Sequence, residues 1–405
     1  MSNLLLKWRF DSKSDLSAPP AVVDLDKDGR EEIIFGTKDG QVIALDASAV
    51  VKWVFGVKES LDLKESLFLD QEILFCVHGT PTVADIDGDG RLEVVFGTEG
   101  GFVYVLSDQG KLKWKFSAGS AIRASILTYD LLKNGKQVLV FGAMDGFLYV
   151  VDAQGRLLWR FNAESGIEAM PTVFEEKGLV IFFFGCDDGS LFAVSDEGKL
   201  LWRFKTGDKI LAQPVIGPLY QGSNFIVVGS MDHSLYAVNL KGAAYWRFRT
   251  AGAIVSKAVL VDLDGDGCLE VVFGSCDNTV YALSSEGDKL WSFETDFWIV
   301  SPPLVLDVNN DGRLEVVVGS YDHKLYVLDG QGSYSLDFLP GLAGVVAQNG
   351  GYTDLLTRQS GKVIGKKLNE VLVDGMVVGC GWSSEDKSLV VNTKLGKVDD
   401  VEMRK

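Results

Sequence analysis

A short aromatic motif, Trp-x-Phe, recurs seven times along this chain of 405 residues. The steps between successive tryptophans are 45, 61, 45, 43, 44 and 45 residues long. The seven pairs are Trp8-Phe10, Trp53-Phe55, Trp114-Phe116, Trp159-Phe161, Trp202-Phe204, Trp246-Phe248 and Trp291-Phe293. Repetition at a period of about 20 to 50 residues is typical of solenoids and propellers, in which each repeat buries its apolar face against the next. We therefore expect one large body, although the length alone suggests two or three domains.

Each repeat is predicted to hold four short β-strands. In the repeat around Asp262, runs rich in Val, Leu, Phe and Tyr lie at 258–261, 269–274, 280–283 and 289–293, separated by Gly, Asp and Asn. Second turns such as Met231-Asp232-His233 and Cys276-Asp277-Asn278 carry residues that tolerate the positive φ of a tight hairpin. A four-stranded antiparallel sheet in every repeat is typical of a β-propeller blade. The predicted class is therefore all-β.

The two ends of the chain decide the number of blades. Residues 4–10 form a last strand with no first three strands before it, and the repeat from Leu304 is expected to end in a fourth strand at 333–338. Further strand-like runs lie at 370–373, 376–379 and 388–391. We expect residues 339–405 to form a divergent eighth blade that closes the ring with strand 4–10. Seven blades with a C-terminal hairpin are the alternative, and in both cases residues 1–405 form one propeller domain.

One junction is longer than the others. Residues 57–76, between blades 1 and 2, contain an insertion of 16 residues that mixes apolar and charged side chains. The sequence favours a packed elaboration of a loop, and a partner-binding flap is the alternative.

A second motif, D-x-[DN]-x-D-G-x-x-E, occupies the first turn of four repeats. Oxygen atoms at positions 1, 3 and 5 would surround a hard cation, the Gly permits a sharp bend, position 7 offers its carbonyl and the acid at position 9 closes the shell. The predicted metal-site residues are Asp24, Asp26, Asp28, Arg30, Glu32; Asp85, Asp87, Asp89, Arg91, Glu93; Asp262, Asp264, Asp266, Cys268, Glu270; and Asp307, Asn309, Asp311, Arg313, Glu315. We expect up to four Ca²⁺ ions, each stabilising one hairpin by binding only the folded state.

These loops resemble the calcium-binding hairpins of FG-GAP repeats in integrin α-type propellers. The rest of each unit, as in Gly189-Ser190-Leu191-Phe192-Ala193-Val194 through Trp202, is similar to the PQQ-like propeller repeat. The resemblance covers residues 4–338 and implies a propeller, a fold that serves many functions. A quinoprotein dehydrogenase would be expected to keep two adjacent cysteines, and none of Cys76, Cys186, Cys268, Cys276 and Cys380 are adjacent. We therefore expect no PQQ.

The start of each first strand should face the central channel, on the side of the ring opposite the acidic turns. Candidate ligand or partner residues at this channel mouth are His78, Arg123, Glu168, Gln213, Lys257 and Trp298. This polar ring with one aromatic side chain is the candidate binding site, although the sequence favours an ordinary solvated channel mouth. The three histidines lie in different repeats, which argues against a zinc site. No nucleotide-binding or hydrolase motif is present, so we predict no catalytic residues and an enzyme is less favoured.

Charge and composition restrict the kinds of partner and the cellular location that we expect for this chain. A net charge of −17 argues against nucleic acid, since phosphate binding needs a cationic surface. No apolar run approaches the length of a membrane span. The lack of a leader and the odd number of cysteines favour the cytoplasm, whereas a mature chain after cleavage would suit an extracellular or periplasmic location.

The sequence thus favours a non-catalytic, calcium-stabilised propeller, monomeric, that presents a rigid face to a protein partner. A small-ligand-binding or enzymatic propeller that uses the channel mouth is one alternative, and a surface-adhesion or carbohydrate-binding propeller is another.

Overall fold

The computed structural model describes residues 3–58, 74–307, 311–330, 367–372, 375–383 and 388–404. These residues form 32 β-strands in eight four-stranded antiparallel sheets. The chain is an all-β, eight-bladed β-propeller, which confirms the predicted fold class and blade number. No helix within the described ranges is long and apolar enough to cross a membrane.

Blades 1 to 4 follow the chain order of their strands. They consist of β2 (Ala21–Val23), β3 (Glu32–Gly36), β4 (Gln41–Leu45) and β5 (Val51–Gly56); β6 (Thr82–Ala84), β7 (Glu93–Gly97), β8 (Phe102–Ser107) and β9 (Leu112–Ser117); β10 (Leu127–Tyr129), β11 (Val138–Gly142), β12 (Phe147–Val151) and β13 (Leu157–Asn162); and β14 (Thr172–Glu176), β15 (Leu179–Gly185), β16 (Ser190–Ser195) and β17 (Leu200–Lys205).

Blades 5 to 7 have the same order, and blade 8 joins the two ends of the chain. These blades consist of β18 (Val215–Tyr220), β19 (Ser223–Ser230), β20 (Ser234–Asn239) and β21 (Ala244–Arg249); β22 (Val259–Val261), β23 (Glu270–Gly274), β24 (Thr279–Leu283) and β25 (Lys289–Glu294); β26 (Leu304–Leu306), β27 (Glu315–Gly319), β28 (Lys324–Asp329) and β29 (Lys367–Leu372); and β30 (Val377–Ser383), β31 (Ser388–Thr393), β32 (Lys397–Arg404) and β1 (Asn3–Asp11).

The fourth strand of blade 7 differs from the prediction. It was expected at 333–338, but the structure pairs β28 with β29, so that Tyr326 lies opposite Glu370. Only one strand can pair with the free edge of β28, and that strand is β29, from the C-terminal part of the chain. The run at 370–373 therefore belongs largely to blade 7, and β30, β31 and β32 supply blade 8. Residues 331–366 lie outside the described residues.

Blade 8 closes the ring by pairing the two ends of the chain. β1 runs antiparallel to β32, with Arg9 opposite Asp399 and Phe10 opposite Val398. The Arg9 guanidinium donates two hydrogen bonds to the fully buried Asp399 carboxylate, at 2.7 and 2.9 Å. Such pairing removes the exposed strand edges that an open sheet would present.

The repeated tryptophans connect neighbouring blades. The indole N–H of five of them donates to a backbone carbonyl in the third turn of the next blade, over 2.8–3.0 Å. In Trp53, for example, the acceptor is the carbonyl of Asp108, and the ring also packs on Gly110. A Cβ at Gly110 would lie 2.6 Å from that ring. The aromatic motif therefore joins adjacent blades of the ring.

The predicted insertion between blades 1 and 2 falls mostly outside the described residues, which resume at residue 74. Where the chain resumes, the Leu74 carbonyl accepts a hydrogen bond from Gly100 and the Cys76 carbonyl accepts one from Glu99. Both interpretations of the insertion, the packed loop and the partner-binding flap, concern residues outside the described ranges.

Candidate functional site

The first turns of blades 1, 2 and 6 share one backbone geometry. In each, the first Asp accepts an N–H from the Gly at position 6, over 2.9–3.0 Å. The Asp at position 5 accepts the N–H of position 7, over 2.7–2.8 Å. The side chains at position 7, namely Arg30, Arg91 and Cys268, are exposed. A contribution from these residues to a cation would therefore come from their carbonyl oxygens.

The acid at position 9 is the buried member of each loop. Glu32, Glu93 and Glu270 retain 1%, 1% and 5% of their surface, although they begin second strands as charged residues. One oxygen of each accepts the N–H of position 2, over 2.8 Å. Ligand atoms of the residues at positions 1, 3 and 9 lie within 4.8 Å of one another in all three loops, as a divalent cation requires.

A lysine lies among the carboxylates of blades 1 and 2. The Lys52 ammonium is 2.6 Å from Asp26 and 2.7 Å from Glu32. The Lys113 ammonium is 2.7 Å from Asp87 and 2.8 Å from Glu93. Burial lowers the pKa of each lysine, but the bonds to two carboxylates outweigh it and raise the pKa above its ordinary range. Each of these loops thus contains a positive charge from its own blade.

Blade 6 has no such lysine. The residue that corresponds to Lys52 and Lys113, immediately before the tryptophan, is Leu290. Burial, assisted by the charges of Asp264, Asp266 and Asp262, raises the pKa of Glu270 to about 7 against the hydrogen bond from Leu263. The carboxylates of this loop therefore lack the neutralising charge that the first two loops possess.

The fourth predicted loop is partly described. In blade 7, Asp307 accepts the N–H of Gly312 and Asp311 accepts that of Arg313, each over 2.9 Å, as in the other loops. Glu315 is buried. Residues 308–310, which include Asn309, lie outside the described residues.

Blade 5 replaces the charged turn with aromatic packing. Its first turn carries no acidic motif, and Tyr245 occupies the position of Lys52. The Tyr245 ring lies 4.6 Å from that of Phe225 and 5.6 Å from that of Tyr220, between ring centroids. Aromatic packing therefore stabilises the first hairpin of blade 5, whose turn lacks the acidic residues of the other loops.

The channel mouth is built from alternating side chains at the start of each first strand. In blade 6, Ile254, Ser256 and Ala258 are buried within the ring, whereas Val255 and Lys257 are open to the channel. The same alternation repeats in blades 3 to 5 and 7. The second turn of the same blade adds one further side chain to the mouth. Its backbone N–H donates to the carbonyl of the residue two positions before the channel-facing residue, as Glu99 donates to Cys76 and Tyr321 donates to Trp298.

Blades 2 to 4 give the channel mouth a charged half. Arg123 donates two hydrogen bonds to Glu99, at 2.7 and 2.9 Å, and lies 3.4 Å from Glu168. His78 lies 3.1 Å from Glu99. The Cys76 side chain and then Glu99 raise the pKa of His78 to about 9, while His78 and Arg123 lower the pKa of Glu99 to about 2.

Three of the predicted channel-mouth residues, His78, Arg123 and Glu168, are therefore brought together. Glu99, which links them, was missed by the sequence analysis. It could have been found by aligning the second turns, where it occupies the position of Lys38, Met144 and Asp187. Gln213, Lys257 and Trp298 lie on other blades, and the Gln213 amide donates to Thr172 over 3.3 Å.

Blades 5 to 7 give the channel mouth an apolar half. We call its six half-buried side chains the apolar arc: Leu211, Met231, Val255, Cys276, Val300 and Tyr321. Beside the arc, Phe297 and Trp298 stack with ring centroids 5.3 Å apart and remain 42% and 48% exposed. His233 and His323 occupy second turns with positive φ, and the clusters of possible metal ligands in the described chain contain carboxylates alone.

Comparison with known proteins supports the architecture. The family model of the λ-carrageenase β-propeller domain matches residues 225–337. No curated protein matches the chain. The crystal structure of BamB from Moraxella catarrhalis is similar, with a TM-score of 0.65 and 16% identity over 99% of this chain and 98% of that one. BBS1N in complex with ARL6DN is similar with a TM-score of 0.55 and 12% identity, over 99% and 97%. At these identities the likeness shows the propeller fold.

Proposed function

We propose that this propeller is a non-catalytic scaffold whose channel-mouth face binds a protein partner. The observation that carries the proposal is the exposed Phe297–Trp298 stack beside the apolar arc. Large aromatic side chains that a rigid backbone holds in the open are enriched at protein interfaces, and they lose little conformational entropy on binding. The structure of BBS1N in complex with ARL6DN supports the idea that a propeller of this shape holds a protein partner.

Affinity purification with a double variant tests this role. Phe297→Ala/Trp298→Ala should lose the protein that co-purifies with the native chain, because both aromatic anchors are removed. Leu200→Ala is the matched control, since Leu200 is 52% exposed on the outer strand of blade 4. The proposal fails if the double variant and the control recover the same partner in the same amount.

We further propose that Ca²⁺ stabilises the propeller at its first turns, as in the FG-GAP hairpins that these loops resemble. Asp262, Asp264, Asp266 and Glu270 would hold the ion, with the carbonyl of Cys268. The convergence of three ligand atoms within 4.8 Å, without a lysine, supports this loop as the strongest site. In blades 1 and 2, Ca²⁺ must first displace the ammonium of Lys52 or Lys113, so we propose weaker binding there.

Calorimetry tests the metal. Titration of the chelator-treated chain with Ca²⁺ should show binding, and the Tm should rise because the ion binds the folded state alone. Asp264→Asn should abolish the strongest binding event, whereas Asp288→Asn, in the exposed third turn of the same blade, should leave it unchanged. Identical titrations of the two variants would contradict the assignment.

The cysteines support the proposal of a reducing compartment such as the cytoplasm. All five are free, and Cys186 is buried where desolvation raises the pKa of its thiol.

A further inference from the structure

Lys257 has an unusual position among the channel-lining residues. It lies two residues beyond Val255 on the channel-facing side of blade 6, with buried Ser256 and Ala258 on either side. The corresponding residues of the two neighbouring blades are Gln213 and Pro302, which carry no charge. The amino group of Lys257 is thus presented to the channel, just below the apolar arc.

The ammonium of Lys257 has no counter-ion among the described residues. The Lys257 side chain is exposed to the channel, yet the protein atoms that surround it there lower its pKa through desolvation, with no contribution from any charged neighbour. By contrast, Arg123 and Lys209 at the channel mouth form ion pairs. Arg123 pairs with Glu99 and Glu168, and Lys209 pairs with Asp187 at 3.0 Å. An ammonium that lies inside the channel without a counter-ion can be stabilised there by a bound anion.

The side chains around Lys257 indicate what kind of anion would fit there. The apolar arc covers the mouth of blades 5, 6 and 7, and Lys257 lies at its centre, on blade 6. A ligand with an apolar body would remove these side chains from water, while its charged end reaches the amino group. A small inorganic anion would leave the arc uncovered, and a polyanion would meet Glu168 and Asp187 on blade 4, which adjoins the arc.

We propose that the channel mouth binds an apolar carboxylate, with the Lys257 ammonium as its counter-ion and the apolar arc as the wall for its hydrocarbon body. The carboxylate belongs either to a free acid or to the C-terminus of a chain that ends in an apolar residue. This site goes beyond the scaffold function and does not depend on it.

Calorimetric titration with matched probes tests the site. 3-Phenylpropanoate should bind at least tenfold more tightly than 3-phenylpropan-1-ol, because the alcohol has the same body without the charge. Acetyl-Gly-Phe with a free carboxylate, compared with its amide, provides the peptide arm. Preference for the charged member in the first pair alone identifies a free acid, and preference in the peptide pair identifies a chain terminus. Absence of saturable binding by either acid, or equal affinity for acid and neutral analogue, overturns the proposal.

Variants then assign the preference to Lys257. Lys257→Met should reduce the affinity for the acid to that for the alcohol, while keeping the side-chain length. Lys241→Met, in an exposed third turn of blade 5, should change neither affinity. An unchanged preference in Lys257→Met refutes the assignment.

A labelling experiment provides an independent measurement on the native chain. Limited acetylation at pH 8 should modify Lys257 ahead of Lys241, since a lowered pKa leaves a larger fraction of the Lys257 amine deprotonated and reactive. 3-Phenylpropanoate should protect Lys257 and the alcohol should not. Equal labelling of Lys257 with and without the acid, under conditions where the acid binds, places the ligand elsewhere and overturns the proposal.

Discussion

At seven blade junctions, a glycine at or next to the end of a second strand is in close contact with a Val or Ile side chain from the segment that leads to the next blade. A Cβ at Gly185 would lie 2.1 Å from Ile210, and one at Gly229 would lie 2.3 Å from Ile254. Both glycines have ordinary backbone angles, so contact distance rather than conformation excludes a larger residue. These glycines let adjacent blades approach closely.

Gly185→Ala should therefore destabilise the propeller by about 1–3 kcal/mol, because the added methyl group overpacks the junction. Chemical denaturation measures the loss. Gly56→Ala is the matched control, since Gly56 ends a fourth strand and no atom would lie within 4 Å of its Cβ. Equal stability of the two variants would show that the junction yields to the methyl group.

The His78–Glu99 pair should make stability depend on pH in two windows. The folded-state pKa of His78 is raised to about 9, so its contribution is complete below about pH 6.5 and is lost as pH rises through about 9. The pKa of Glu99 is lowered to about 2, so its contribution is present above about pH 4.5 and is lost as pH falls towards 2.

Proton NMR of the three histidines checks the first window directly. One imidazole should titrate near pH 9 and should disappear in His78→Gln. Glu99→Gln should lower that pKa, whereas Glu197→Gln, on an exposed third turn, should not. A His78 pKa near 6.5 in the native chain would contradict the pairing.

At the level of the hairpin, the first turns of blades 1, 2, 5 and 6 show three different arrangements. Blades 1 and 2 use a lysine, blade 5 uses the Tyr220–Tyr245–Phe225 rings, and blade 6 leaves its carboxylates open. The lysine, Tyr245 and Leu290 all immediately precede the tryptophan of their fourth strands. Among the blades that keep the acidic loop, this one position therefore distinguishes the lysine-paired loops from the open loop of blade 6.

Leu290→Lys should therefore remove the response of blade 6 to Ca²⁺, because the new ammonium would lie where Lys52 and Lys113 lie in their blades. The increase in Tm on adding Ca²⁺ after a chelator should become smaller, because only the weaker sites of the other blades remain. The reverse change, Lys113→Leu, should cost about 1–3 kcal/mol without Ca²⁺, since Glu93 loses a charged partner while buried. Added Ca²⁺ should restore part of that loss. An undiminished Ca²⁺ response in Leu290→Lys would refute the lysine interpretation.

The sequence predicts the elements well where the repeat is regular. Trp-x-Phe and the turn glycines locate the strands of blades 1 to 6, because each copy reinforces the others. The fourth strand of blade 7 lacks the tryptophan and is formed by a segment much further along the chain. The regular repeat spacing therefore predicts this strand at the wrong position, 333–338. The roles of Lys52 and Glu99 depend on partners in other strands and turns, 20 to 26 residues away, which only the register brings together.

For the whole ring, closure depends on one sheet made from both termini. Blades 1 to 6 each consist of four consecutive strands of one repeat, and blade 7 takes its fourth strand from the tail. Blade 8 joins residues about 390 positions apart through β1 and β32. Until this sheet forms, the apolar faces of blades 1 and 7 that pack against blade 8 stay exposed to water, so destabilising blade 8 should lower the stability of the whole propeller.

Arg9→Met tests this closure, because it leaves the Asp399 carboxylate fully buried without its bidentate partner. Breaking a buried pair from one side costs about 3–5 kcal/mol. Arg203→Met is the matched control: Arg203 pairs with Asp188 inside blade 4, both side chains are partly exposed, and such pairs contribute about 0–1 kcal/mol. The Tm should fall much further in Arg9→Met, and hydrogen exchange should increase in β1, β32 and the facing strands of blades 1 and 7. If both variants melt at the same temperature with unchanged exchange in β1, the termini do not control the stability of the ring.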